Sequence, residues 1–246
     1  MACKMIIVEN AMVLAAGLGL RMRPITDKIP KPLVELGGVP LIDRALDLLV
    51  ESGVKKAVVN LHYLGGMIEA HLKRRKAPKI EFSKEEDQLL DTGGAVSQAL
   101  PMLGEDPFFV VNADIAWTDS GVPALNRLRE AWDDRSMDAL LMLHPVSSAT
   151  GYDGNGDYNI TEAGQLSRRS AQSTAPYVFT GLQILHPGLF RGSRPKKFPM
   201  TELYDQAQYK DRLKGLIHVG DWHHIGTPAG LTEAERYLAG SQTNYV

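Results

Sequence analysis

The feature that most constrains the fold is a set of short β-rich runs that mostly lack polar alternation: Ala11–Ala15, Ala57–Leu61, Lys79–Phe82, Phe108–Asn112 and Ala139–Leu143. A strand with one wet face alternates apolar and polar residues, whereas a strand that stays apolar is covered on both faces. Amphipathic segments fill the gaps and supply that cover. Leu41–Leu49 places Leu41, Ile42, Ala45, Leu46 and Leu49 on one stripe and ends at Gly53; Met67–Arg75 stacks Ile68 and Leu72 opposite a basic face before Pro78; Thr92–Leu100 and Pro123–Trp132 follow. The alternation predicts βαβ units, hence an α/β fold: a three-layer Rossmann-like mixed, mostly parallel sheet flanked by helices, spanning residues 11–143.

After His144 the grammar changes. Residues 147–159 are rich in Ser, Gly, Asn and Asp and read as a mobile loop; Tyr158–Arg168 reads as strand, turn and strand around Ala163-Gly164; Tyr177–Leu185 reads as a further strand. Met200–Tyr209 and Thr227–Leu238 read as helices, the second capped by Thr227 with Pro228 in its first turn, and the last seven residues as a frayed tail. Residues 144–246 are therefore expected to form a small α+β part of one 1–246 domain.

Charge and cysteine usage narrow the partners. With 27 Lys+Arg against 29 Asp+Glu the net charge is −2, so no excess of positive charge drives non-specific binding to nucleic acid or anionic lipid. No apolar stretch approaches the roughly 20 residues that span a bilayer. The first ten residues lack the pattern of a secretory signal, and the single cysteine, Cys3, excludes an intrachain disulfide, so a cytoplasmic location is expected.

Four stretches carry the chemistry. Leu14–Pro32 reads LAAGLGLRMRPITDKIPKP, directly after the first strand. Gly17 and Gly19 let backbone N–H groups approach a phosphate chain, and Arg21, Arg23 and Lys31 supply cations, the last set between Pro30 and Pro32. This is not a P-loop, because no Gly-Lys-Ser/Thr follows, nor a dinucleotide fingerprint, because the third Gly is missing and the second strand ends Asn60-Leu61-His62 without the required acid. Val111-Asn112-Ala113-Asp114 places a carboxylate at the carboxyl end of a strand, as a turn residue, a cap or a ligand for a cation. Asp91-Thr92-Gly93-Gly94 opens a helix with Asp91 or Thr92 as its cap. Trp222-His223-His224-Ile225-Gly226-Thr227 holds two adjacent histidines, whose side chains point to opposite faces if the segment is a strand. The remaining histidines show no ligand spacing.

The first of these stretches resembles the signature of the sugar-1-phosphate nucleotidyltransferases, LAAG-x-G-x-R-x-x-P-x-T-x-x-x-P-K-P, and the resemblance extends over most of the chain, weakest from Val146 to Thr174. It implies an enzyme that joins a nucleoside triphosphate to a sugar 1-phosphate and releases pyrophosphate. The chain is similar to compact bacterial members that pair UTP with N-acetylmuramate 1-phosphate, a reaction of cell-wall precursor metabolism, or GTP with mannose or heptose 1-phosphate. The resemblance implies that Ala15, Ala16, Gly17, Leu18 and Gly19 grip the triphosphate together with Asn112, that Arg21 steadies the leaving pyrophosphate, and that Lys31 lies on the α-phosphate. It implies that Asp91, Thr92 and Gly93 meet the base and ribose, and that Asp157, Thr180 and Gly181 line the sugar pocket. The metal it implies is Mg²⁺ on Asp114. Three positions depart from the pattern, the least of them Ala113, where the family's N-G-D motif has Gly. Leu20 stands where Thr, Ser or Glu is usual, and His224 stands where the family has its second metal-binding Asp. Imidazole is a poor ligand for Mg²⁺ and a better one for Mn²⁺ or Co²⁺. Three readings follow: a metal held by Asp114, water and phosphates; an altered metal preference; or a weakened relative that still binds nucleotide or sugar.

Overall fold

The computed structural model describes residues 6–242; Cys3 and Thr243–Val246, part of the expected frayed tail, lie outside the described residues. Strands β1 (Asn10–Leu14), β2 (Glu35–Leu36) and β3 (Val39–Pro40) precede helix α1 (Leu41–Glu51); β4 (Lys56–Leu61), α2 (Gly65–Leu72), β5 (Lys79–Lys84), α3 (Asp91–Leu103), β6 (Phe108–Asn112) and β7 (Ile115–Trp117) follow. The second part runs α4 (Ala124–Ala131), β8 (Ala139–Pro145), β9 (Tyr158–Ile160), β10 (Leu166–Arg168), β11 (Tyr177–Leu185), α5 (Thr201–Tyr209), β12 (Leu213–Ile217), β13 (Trp222–His224) and α6 (Pro228–Gln242).

The nucleus is parallel: β4 and β6 flank β1, and β5 extends β4. Strand β11 then pairs antiparallel with β6 and β8, and β12 lies parallel to β8. The sheet is thus mixed and mostly parallel, as the unbroken apolar runs predict. Alternate residues feed opposite cores. Val13, Val59 and Val111 enter the cluster beneath α1, α2 and α4, while Met12, Val58 and Val110 enter the one beneath α3 and α5. The first cluster also takes Leu182, Ile184 and Trp222, so the two parts of the chain share it. A third, smaller cluster joins Met22, Leu36 and Ile225 to Leu231 and Ala234 of α6.

Several boundaries differ from expectation. Helix α2 ends at Leu72, well short of Pro78, and Arg75 turns to pair with Asp43 and Asp47 on α1. Helix α3 continues through Pro101 to Leu103 and stops at Gly104, whose φ is +88°. Thr227 caps α6 as expected, its hydroxyl accepting the Gly230 N–H at 3.1 Å, but the helix continues to Gln242. The short ribbon β7–β13 and strand β12 had no periodic signal. Among the described residues no helix is long and apolar enough to cross a membrane.

Candidate active site

The carboxyl ends of β1 and β6 open into a cavity of ≈ 590 Å³, and most of the residues singled out in the sequence meet there. Ala15, Ala16, Gly17, Gly19 and Arg21 line it from the chain after β1, Lys31 and Pro32 from the turn before β2, Asn112 and Asp114 from the end of β6 and beyond, and Asp91 and Thr92 from the start of α3. Loop shape follows from local chemistry. Gly19 has φ +63°, and a Cβ there would sit 2.9 Å from Thr26 Cγ2; Thr26 in turn donates its hydroxyl to the Gly19 carbonyl at 2.8 Å. A Cβ on Gly17 would meet nothing within 4 Å, so this glycine leaves space over the loop.

Pro30 is extended, and Lys31 begins a 3-10 turn with Pro32 in its first positions. That turn carries Lys31 inward. Only 8% exposed, it places Nζ 2.7 Å from Asp114 Oδ2. The pair is a charge-assisted contact between the turn at Lys31 and the chain just after β6. Arg21 is an exposed lining residue, and Lys197 reaches the cavity from the segment before α5. Three cations against Asp91 and Asp114 make the cavity net positive, suited to a triphosphate.

His224 follows from the pairing of β13 with β7, where it sits opposite Ile115, the residue after Asp114. The two histidines do face apart: the His224 ring packs edge-on to Tyr152 at 6.1 Å, while the His223 ring lies 4.7 Å from Tyr237. Burial lowers the His224 pKa, Lys31 and Arg21 lower it further, and Asp114 and Asp153 oppose them. The imidazole does not itself line the cavity; its Nε2 lies behind the lining residue Gly226, 2.3 Å from where a Cβ there would sit. Among the described residues no three His, Cys, Asp or Glu side chains group closely enough to hold a metal by themselves.

Other expected residues are placed elsewhere, each for a physical reason. Arg23 turns to Asp27 at 3.0 Å and does not line the cavity. Leu18 projects from the loop, 37% exposed, rather than lining the wall. Gly93 is behind the cavity: a Cβ there would lie 2.4 Å from Phe198 Cε2, and the Gly93 and Gly94 N–H groups both donate to the Phe198 carbonyl. In the first turn of α3 the Gly93 and Gly94 N–H groups are thus satisfied by the chain before α5, and of the backbone donors the Asp91 side chain takes only the Thr92 N–H. That bond is 2.6 Å long, and the Thr92 hydroxyl accepts the Met200 N–H at 2.9 Å.

The three sugar-side residues also serve the framework. Thr180, 1% exposed, donates to the Met142 carbonyl across a β11 irregularity. Gly181, with φ +88°, gives room to Asn112, whose Nδ2 would be 2.9 Å from a Cβ. Asp157 accepts the Phe179 N–H at 2.8 Å. None of the three lines the cavity. Conversely, Asn60, Leu89 and Lys197 line it without having been singled out, because none lies in a contiguous motif and only the folded chain brings them together.

Comparison with known proteins shows the family of the chain. A protein-family model described as nucleotidyl transferase matches residues 10–240. The chain is 40% identical over 233 residues to N-acetylmuramate alpha-1-phosphate uridylyltransferase of Caulobacter vibrioides, covering 93% of this chain and 96% of that one. It is 33% identical to the protein of the same name from Neisseria meningitidis serogroup B, covering 94% and 99%. Among solved structures, UDP-glucose pyrophosphorylase complexed with UDP-glucose superimposes with a TM-score of 0.76 at 20% identity, covering 96% of this chain and 100% of that one, a likeness of fold.

Proposed function

The chain belongs to the nucleotidyl transferase family, and from that premise we propose that it transfers the uridylyl group of UTP to N-acetylmuramate 1-phosphate. A phosphate oxygen of the sugar 1-phosphate forms a bond to the α-phosphorus, the bond from that phosphorus to the bridging oxygen breaks, and pyrophosphate leaves with the electron pair. The sugar phosphate is already anionic near neutral pH, so the step needs no general base. What it needs is alignment and charge stabilisation. In this reading the backbone from Ala15 to Gly19 holds the triphosphate, Arg21 stabilises the leaving pyrophosphate, and Lys31 stabilises charge on the α-phosphoryl oxygens. Asp91 and Thr92 bound the base and ribose. Asn112 joins the loop in holding the nucleotide, with Gly181 giving it room and Thr180 and Asp157 fixing β11 behind it.

A divalent cation belongs to this reaction. The donor set fits one held by the Asp114 carboxylate and completed by phosphate oxygens and water, the manner in which Mg²⁺ binds with few protein ligands. His224 would add a nitrogen donor and so tolerance of Mn²⁺ or Co²⁺; its support is its place on β13 opposite Ile115, the neighbour of Asp114, with its ring against the lining residue Gly226. When bound, the cation offsets phosphoryl charge.

The observation that carries the chemistry is the convergence of Arg21, Lys31 and Asp114 on one cavity behind a glycine loop. The choice of substrates is supported by the two relatives named above. The test is pyrophosphate release over a matrix of UTP and GTP against N-acetylmuramate, N-acetylglucosamine and mannose 1-phosphates. The expected result is the highest kcat/KM for UTP with N-acetylmuramate 1-phosphate. A higher value for GTP with mannose 1-phosphate would overturn the substrate assignment, and no release from any pair would overturn the activity.

A further inference from the structure

Behind the cavity lies a carboxylate that the reaction does not use. Glu85 is 3% exposed, and among the described residues no lysine or arginine pairs with it. Its two oxygens are each taken by a different segment, the end of β4 and the loop before α3. Asn60 Nδ2 donates to Oε1 at 2.7 Å, and the Leu90 backbone N–H donates to Oε2 at 2.7 Å. Asn60, itself 4% exposed, uses its Oδ1 to accept the Ala15 N–H, again at 2.7 Å. The backbone of Glu85 is fixed as well: its N–H donates to the Leu61 carbonyl at 2.9 Å, and its carbonyl lies 2.7 Å from His62 Nδ1.

These contacts form one chain, Ala15 to Asn60 to Glu85 to Leu90. Ala15 is where the phosphate loop leaves β1, and Leu90 is the residue before Asp91 and Thr92. Burying a carboxylate without a cation is costly, and an apolar side chain would fill the same space at less cost to stability. What an apolar side chain could not do is tie two loops to one point. We propose that Glu85 is a positioning residue, acting through Asn60, that sets the spacing between the phosphate loop and the base-side loop to the length of a nucleoside triphosphate. The inference rests on the reading that a nucleotide spans this cavity.

A carboxylate offers an acceptor to both donors, whereas Glu85→Gln offers one acceptor and turns an N–H group toward the other. Asn60→Asp combined with Glu85→Gln restores every bond with the same donors and acceptors at the backbone ends: Ala15 N–H to Asp, Gln N–H to Asp, and Leu90 N–H to the Gln oxygen. Equilibrium binding is measured for wild type and both variants with UTP, which spans both loops, and with uridine and inorganic tripolyphosphate, which each reach one; GTP and guanosine are run in parallel.

Mis-spaced loops cost the spanning ligand its second contact, so Glu85→Gln should weaken UTP about tenfold while uridine and tripolyphosphate change by less than about twofold. The double variant should return UTP binding to within about threefold of wild type, since the bonds are remade although a charge moves nearer the phosphates. The KM for the nucleoside triphosphate should follow the same order. Equal weakening of UTP and of both fragments, unchanged UTP binding in Glu85→Gln, no recovery in the double variant, or loss of the fold in both variants would each overturn the positioning role. A wild-type protein that binds no nucleoside triphosphate would overturn the functional reading and this inference with it, whereas binding by wild type with no effect of Glu85→Gln overturns the inference alone.

Discussion

Lys31 Nζ and Asp114 Oδ2 stand 2.7 Å apart, so each residue sets the availability of the other. That pairing separates two effects that a single activity assay would merge. Lys31→Ala should lower turnover by on the order of a hundredfold, the usual consequence of removing one charge-stabilising donor. The same substitution frees Asp114 from a cation that competes for it, so Mn²⁺ should bind the nucleotide-free Lys31→Ala protein more tightly than wild type. Turnover and Mn²⁺ titration together check this, and unchanged Mn²⁺ affinity would show that the pair does not compete with a metal. Lys31, Arg21, Asn112 and Asp114 could be picked out in the sequence because each belongs to a contiguous motif, Leu14–Pro32 or Val111–Asp114, and the fold brings all four to the cavity lining. Asn60, Glu85 and Lys197 were not, because their relation to the cavity exists only after β4, β5 and the chain before α5 have packed around β1. Thr180 and Asp157, expected beside a sugar, do not line this cavity and make hydrogen bonds with neighbouring backbone groups, a framework role that the sequence does not display.

At the scale of elements, the unbroken apolar runs of β1, β4, β6 and β8 predicted a sheet covered on both faces, and their burial bears that out. The ribbon β7–β13 escaped notice because each strand has three residues, too few for any period to register. Helix α3 shows how an element's sequence can be read correctly for the wrong reason. Its glycines mark the start of a helix, but they are required by the chain from Lys196 to Phe198 lying against it. A Cβ on Gly94 would sit 2.1 Å from the Lys196 carbonyl oxygen, a backbone atom with little freedom to yield. Gly94→Ala should therefore destabilise the fold by about 1–3 kcal/mol, the range for overpacking a tight contact. Gly17→Ala is the counterpart, since its Cβ meets nothing within 4 Å. It should leave stability within about 0.5 kcal/mol while weakening UTP binding, because the added methyl occupies the space over the phosphate loop. Thermal unfolding paired with UTP binding for both variants checks the contrast, and a Gly17→Ala protein that binds UTP normally would place the triphosphate elsewhere.

For the molecule as a whole, the ribbon beside the cavity is tied to the far end of the sheet through buried histidines. His144 on β8 and His218 after β12 are 3% and 4% exposed, with ring centroids 5.8 Å apart, and the His144 ring also lies 6.1 Å from that of Trp222 on β13. His218 Nε2 is 3.0 Å from the Thr118 carbonyl and 3.3 Å from that of Asp221, groups that only accept, so the neutral ring carries its proton there and leaves Nδ1 bare. Nδ1 of both rings has no hydrogen-bond partner, and the nearest carboxylate to His218 Nδ1, that of Asp119, is 4.0 Å away. Burial is the largest cause that lowers the pKa of each, as it also does for His223. The folded chain therefore binds fewer protons than the unfolded chain once the pH drops to the ordinary histidine value near 6.5. Stability is full above that pH and falls as the pH drops through the window between it and the lowered values, with each such histidine contributing a slope of up to about 1.4 kcal/mol per pH unit. Asp221, whose pKa is lowered by the Tyr237 hydroxyl first and which Thr118 also supports, titrates below the ordinary aspartate value and leaves this window clear. Urea unfolding midpoints should thus hold steady from pH 8 to 7 and decline from about pH 6.5 to 5. His144→Gln, which cannot take up a proton, should lower stability at pH 8 yet show a shallower decline. A wild-type midpoint that stays constant down to pH 5 would show that these rings admit a proton in the folded chain as readily as in the unfolded one.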